Sequence, residues 1–327
     1  MTFVSLQILL YSARLLPQGK NVYTATEANL HGQLAKLIAE HGEVGITTRN
    51  SQQIAECLML MCKQAVGRKA MEESIATLNA LKTLNCFSDT TVRQLSMHAF
   101  VHLCSTHGGA FALVENHFIS HFSERARDER DLKTKELSLN AIYNCCRQHP
   151  EEASRQSFDS QVVDTAVGIL KDYSKNNDGV ILNAIKVIHA LGERFENKEG
   201  VIDKGGVTAL LDALSNANLS LETKGRLCGA LTVLATEKDG KIEMLEYGME
   251  NFVGILEQAC QESSASMSGV VLNTVQLLNT LGSYPAVRQA CHDLNVMKYL
   301  PTLENAFSHN KQIATALKTC KKCLLAE

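Results

Sequence analysis

Residues 205–215 read GGVTALLDALS and, after a polar turn, residues 225–245 read GRLCGALTVLATEKDGKIEML. Val207, Leu210, Leu211 and Leu214 keep the i, i+3, i+4, i+7 spacing that lays apolar side chains along one face of a helix. The Gly-Gly pair opens that helix, and a second apolar helix follows. Neither helix can hide its face alone, so the stretch predicts a unit completed by neighbours like itself.

The core of the second helix, Ala230-Leu231-x-x-Leu234, serves as a ruler for such neighbours. It recurs as Cys57-Leu58-x-x-Met61, Ala99-Phe100-x-x-Leu103, Ala141-Ile142-x-x-Cys145, Ala184-Ile185-x-x-Ile188, Thr274-Val275-x-x-Leu278 and Ala316-Leu317-x-x-Cys320. Subtracting positions gives steps of 42, 42, 43, 46, 44 and 42. A small residue followed by a large one is what lets one helix lie close on the next. The period excludes the shorter tetratricopeptide and ankyrin units. Between Ile242 and Phe252 the pattern is a short helix, Gly248 as a turn that tolerates positive φ, and another helix; Asn295 takes the place of that glycine in the next unit.

Three helices per unit, the first short, resembles the armadillo superfamily, over Ser51 to Glu327 and most clearly after Gly205. The resemblance implies an all-α fold, a right-handed α-solenoid of about seven armadillo-like three-helix repeats. Residues 1–46 are read as N-terminal capping helices and a degenerate repeat, from Ala25 to Glu43, and residues 47–327 as one continuous array. Met1 to Leu16 reads as an amphipathic capping helix ended by Pro17 and Gly19, with no basic residue before its apolar part to make it a secretory leader. Asn50 or Ser51 is placed to cap the first ruler helix. The last helix keeps Ile313, Leu317, Leu324 and Leu325 apolar and sets Lys311, Lys318 and Lys322 near another face, as a terminal cap requires.

Composition agrees. The 327 residues are 45% hydrophobic but only 5% aromatic, without Trp, which suits a strip-like core of Leu, Ile, Val and Ala. A formal net charge of −3 offers no general pull on nucleic acid or membrane, and no apolar run is long enough to span a bilayer. Eleven Cys, an odd number set mostly at apolar helix positions, point to free thiols in a reducing compartment, cytoplasmic or nuclear. Ser123 to Glu136 carries five basic and five acidic side chains, which cancel and read as a solvated helix junction. Asn218-Leu-Ser220 matches a glycosylation sequon but reads as a polar loop.

Phosphate-binding glycine loops, nucleophile elbows, zinc-protease helices and calcium loops are missing from the sequence, so the chain is read as a non-enzyme needing no cofactor. His98/His102 and His117/His121 each have the i, i+4 spacing that puts two rings on one helix face, but no further ligand is spaced with them, and Cys320-x-x-Cys323 stands without a partner pair. No metal is expected.

In armadillo proteins the third helix of each unit lines a concave groove, and residues just before and three after the ruler's small residue contact bound peptide. By that resemblance the columns hold Glu56/Leu60, His98/His102, Asn140/Asn144, Asn183/Val187, Gly229/Val233, Asn273/Leu277 and Thr315/Thr319. His98, His102, Asn140, Asn144, Asn183, Val187, Val233, Asn273 and Leu277 are the candidate partner-binding residues. An amide both donates and accepts, so Asn140, Asn144 and Asn183 suit the backbone of an extended segment. The Trp ladder of nuclear-import adaptors of this fold has no counterpart here. The expected function is a scaffold or adaptor for a partner protein, or for an extended peptide segment of one; the alternative is a regulator, of exchange-factor or chaperone type, of a nucleotide-binding partner.

Overall fold

The ruler residues are all buried, and each set lies in the third of three successive helices. The computed structural model describes residues 19–325 except 217 and 263; the capping helix read at Met1 to Leu16 lies outside the described residues. Among the described residues there are twenty-one α-helices, three short 3-10 turns and no strand. First helices run from 8 to 10 residues and third helices from 14 to 17.

The chain divides into two compact units, residues 1–162 and 163–327. In the first, α1 (Gly19–Glu27), α2 (Leu30–His41) and α3 (Thr48–Lys63) form a triplet. The stretch read as degenerate thus supplies a first and second helix in the usual order. Next come α4 (Ala65–Glu72), α5 (Ile75–Asn85) and α6 (Thr90–Cys104), then α7 (His107–Glu115), α8 (Phe118–Asp128) and α9 (Leu132–Gln148), with α10 (Pro150–Asp159) closing the unit. Third helices α3, α6 and α9 pack side by side. Phe100, Phe118 and Phe122 fill the space beneath α6, with Phe100 centroids 5.4 and 5.2 Å from the other two.

The second unit holds α11 (Val162–Lys171), α12 (Asp178–Gly192), α13 (Phe195–Asp203), α14 (Gly206–Leu214), α15 (Leu221–Leu234), α16 (Lys238–Tyr247), α17 (Met249–Glu262), α18 (Ser268–Leu281), α19 (Pro285–Asp293), α20 (Leu300–Ala306) and α21 (Lys311–Leu324). Its third helices α12, α15, α18 and α21 again pack in sequence order. Val207, Leu210, Leu211 and Leu214 are buried, as their spacing requires.

Two kinds of turn recur among the triplets, the first at three junctions and the second at five. From third helix to next first helix the chain bends so sharply that a Cβ on Gly67, Gly109 or Gly240 would run into the carbonyl oxygen of Met61, Leu103 or Leu234. Between first and second helices a single left-handed residue reverses direction: Asn29 (φ 52), His117 (57), Gln161 (57), Gly205 (77) and Asn295 (55). Gly248 departs from its expected positive φ, standing at −112°. It is glycine for room, since a Cβ there would lie 2.8 Å from Leu211 Cδ2 and Phe252 Cζ.

The junction from Ser123 to Glu136 is not simply solvated. Ser123 is buried and donates to Ser160 O at 2.8 Å. The Glu129 side chain, 6% exposed, has Arg93 Nε 2.9 Å from one carboxylate oxygen and Arg125 Nη1 at 3.6 Å from the same atom, while the other accepts from the Arg130 and Asp131 backbone N–H groups at 2.9 and 3.0 Å. Glu129 is thus answered from outside the run by Arg93 as well as from within it by Arg125, while Glu124, Arg127, Asp128, Arg130 and Lys133 are exposed as a solvated junction requires.

Candidate functional site

Third helices other than α18, which continues from a 3-10 turn at Met267, begin where a side chain replaces the missing hydrogen-bond partner of their first N–H groups. Thr47, not Asn50 or Ser51, caps α3, accepting from Asn50 N; the two expected residues lie inside the helix. Asp89 caps α6, Asp131 α9, Asn177 α12, Ser220 α15 and Asn310 α21. In the first unit the caps of α6 and α9 are also held by the preceding third helix. Gln52 Nε2 donates to Asp89 at 3.2 Å and Gln94 Nε2 to Asp131 at 3.0 Å. Burial alone would raise the Asp131 carboxyl, but hydrogen bonds from Thr134 and Gln94 outweigh it and hold the group below the usual carboxylate range.

So aligned, α3, α6 and α9 present Glu56 and Leu60, His98 and His102, and Asn140 and Asn144 in one register. Glu56 is exposed and the other five are half-buried. Burial, then Lys133 and Lys63, pushes the His98 imidazole below its ordinary pKa, with Glu136 opposing; burial, Lys63, His98 and Arg68 do the same to His102. Both rings are therefore neutral at pH 7. Asn144 Nδ2 donates to Asn140 Oδ1 at 3.0 Å, leaving the Asn140 amide nitrogen and the Asn144 amide oxygen for another molecule.

The second unit arranges the same columns differently. Asn183 is 4% exposed and gives its Nδ2 to Gly179 O at 2.9 Å; its Oδ1 is buried without a hydrogen-bond partner. Val187 and Leu277 are fully buried between helices, so they shape the face from behind rather than offer it contact area. Gly229 and Val233 are half-buried, and Thr315 and Thr319 are exposed. Asn273 donates to Gly225 O at 2.8 Å across the α15–α18 seam. There a groove of about 430 Å³ opens, lined by Glu222, Gly225, Arg226, Gly269, Leu272 and Asn273. A Cβ on Gly269 would meet nothing within 4 Å.

The columns overlooked Gly225, Arg226 and Gly269, although the ruler contains the signal one turn earlier. Five residues before each small ruler residue stand Gln52, Gln94, Glu136, Gly179, Gly225, Gly269 and Lys311. Long side chains occupy this position in the first unit and glycine occupies it three times running in the second.

The histidine pairs separate into two kinds. His98 and His102 do share a face of α6. His117 does not share one with His121, because it lies before α8 as the left-handed cap. His121 is buried against Phe100 and Phe122 and donates through Nε2 to Asn85 Oδ1 at 2.9 Å, which fixes its tautomer; burial, with Lys82 and Arg125, pushes its pKa down to about 3. Cys320 is buried, and burial, Cys291 and Cys323 push its thiol up to about 12. Among the described residues no three His, Cys, Asp or Glu side chains converge as metal ligands, and no helix is long and apolar enough to cross a membrane.

No family profile and no curated protein sequence matches the chain. Solved structures do. An engineered protein superposes with a TM-score of 0.79 at 16% identity, covering 98% of this chain and 74% of its own. A designed armadillo repeat protein in complex with the peptide (KR)4 gives 0.63 at 17%, covering 75% and 98%. Computationally designed armadillo repeat proteins for modular peptide recognition give 0.63 at 17%, covering 74% and 98%. At such identities the likeness speaks for architecture, and together with the triplets it establishes that this chain has an armadillo-like repeat fold.

Proposed function

We propose that the chain is a binding scaffold whose third helices hold an extended segment of a partner protein. The observation that carries the reading is the Asn140–Asn144 pair, which satisfies itself once and leaves one amide donor and one amide acceptor on a half-buried face. A peptide unit offers the complementary N–H and C=O. The groove between α15 and α18 supports it from the second unit, since the bare Gly269 leaves open space there for a second backbone. The designed proteins of the same fold include one bound to (KR)4 and others made for modular peptide recognition, which supports a peptide as the class of ligand. His98, His102, Asn140, Asn144, Val233 and Asn273 are then the contact residues, with Asn183, Val187 and Leu277 behind them.

Peptides of about 12 residues selected from a random display library against the full chain test this. Asn140→Ala with Asn144→Ala, or Gly269→Gln, is expected to weaken the selected peptides about tenfold, with helicity unchanged. A library that yields no binder, or binders indifferent to both changes, overturns the proposal.

A further inference from the structure

His107, Phe111 and Glu115 on α7 have the i, i+4, i+8 spacing that sets side chains in a row along one helix face, here over about 12 Å, and all three are exposed. One residue from the next junction leans against the whole row. The ring of His149, the residue before α10, has its centroid 6.3 Å from His107 and 5.4 Å from Phe111, and its Nε2 lies 3.8 Å from Glu115 Oε1. Two hydrogen bonds fix this arrangement. His107 Nδ1 donates to Gln148 O at 3.0 Å and Gln148 Nε2 donates to Ser105 O at 3.3 Å, which ties the α6–α7 turn to the α9–α10 turn beside the two imidazoles.

Much of the cluster's bonding capacity is unused. A carbonyl oxygen only accepts, so His107 carries hydrogen on Nδ1, and the neutral ring keeps Nε2 as an acceptor. Glu115 is half exposed, His149 is too distant to hydrogen-bond it, and no lysine or arginine of the described residues lies within ion-pair distance of it. The basic side chains nearby are committed elsewhere: α7 has none, Arg155 of α10 is held by Glu152 and Asp159, and Arg147, at the end of α9, lies over the Tyr143 ring at 5.7 Å. Phe111 is 48% exposed even with His149 against it.

We propose that this row is a docking point for an arginine side chain of a partner protein, its guanidinium plane lying on Phe111 and its N–H groups meeting the Glu115 carboxylate. The site is on a first helix, outside the third-helix columns, and the inference is independent of the peptide-binding reading. Arginine fits better than lysine, because a guanidinium stacks on a ring with its flat side while donating from its edge, whereas an ammonium is a compact, strongly hydrated point charge. An apolar side chain would cover Phe111 but leave the carboxylate and His107 Nε2 without a donor.

Three capped peptides of about 12 residues, alternating Gly with Arg, Lys or citrulline, separate the outcomes when titrated by fluorescence anisotropy against the full chain at about pH 7.5 and about 0.15 M salt. Citrulline keeps the planar group without its charge. The Arg peptide is expected to bind about fivefold more tightly than either of the others. Phe111→Leu, which keeps an apolar side chain but no ring, is expected to bring the Arg peptide down to the level of the Lys peptide. Glu115→Gln is expected to weaken the Arg and Lys peptides about threefold and leave the citrulline peptide unchanged. Both substitutions are at exposed positions, and helicity should be unaltered. A Lys peptide that binds as well as the Arg peptide refutes recognition of the guanidinium, and a citrulline peptide that does so refutes the part played by charge. An Arg preference that survives both substitutions places arginine elsewhere on the chain and overturns the site, as does failure of all three peptides to bind. The third-helix face, tested through Asn140, Asn144 and Gly269, stands or falls separately.

Discussion

Glu129 shows how much of this fold rests on single side chains outside the apolar core. Its carboxylate answers the Arg93 and Arg125 guanidinium groups from two other helices and also caps the N–H groups of Arg130 and Asp131 where the chain enters α9. With the Arg93 side chain only 15% exposed, truncation strands a cation that water reaches poorly. Glu129→Ala is expected to lower stability by about 3 kcal/mol, measured by urea unfolding. Glu129→Gln, which keeps an acceptor for the two N–H groups, should recover part of that loss. Nothing in the run of charges from Ser123 to Glu136 distinguishes Glu129 from its neighbours. Alternating signs reveal neutrality, but which carboxylate is buried depends on where α5, α6 and α8 meet.

At the level of the helix, legibility follows from what kind of interaction repeats. Burial of a small-large pair recurs in every unit, so a one-dimensional pattern was enough to place all the third helices. Hydrogen bonds between units depend on the packing register of two helices and were not readable: the Gln52–Asp89 and Gln94–Asp131 contacts emerge only when α3, α6 and α9 lie side by side. The same holds for the candidate site. Column membership groups residues by position but not by depth: His98, His102, Asn140 and Asn144 are half-buried, whereas Val187 and Leu277 are covered. Asn50 and Ser51, expected to cap α3, stand three and four residues beyond the actual cap because Thr47, Asn50 and Ser51 are all competent caps. Asp131→Ala, which removes a cap accepting from Thr134 N and Gln94 together, is expected to cost about 1–2 kcal/mol. Gln94→Ala, which leaves the cap and removes only the clasp, should cost about half as much, and a urea titration of the two compares them.

For the molecule as a whole, acid is the revealing perturbation. His121 is held neutral in the folded chain down to about pH 3, whereas in the unfolded chain it takes a proton near pH 6.5. The unfolded state thus binds more protons between those values, so stability is full above about pH 7 and is lost as pH falls through 6.5 towards 3. The contribution of His121 is on the order of 4 kcal/mol, and His31 and His189, also lowered by burial, act in the same direction. Urea midpoints measured between about pH 8 and pH 4 should fall steadily below 7, and His121→Gln should shallow the fall; a midpoint independent of pH in that range would contradict the buried neutral ring.

The cap and clasp that join α3 to α6 are repeated between α6 and α9. Removing residues 90–131 would splice Asp89 directly onto Leu132, so that Gln52 would clasp the residue that now caps α9. The joint itself would be unchanged. At this joint the first unit therefore behaves as if built from interchangeable parts one period long, although Asn85, which His121 now satisfies from inside the removed stretch, would need a new partner.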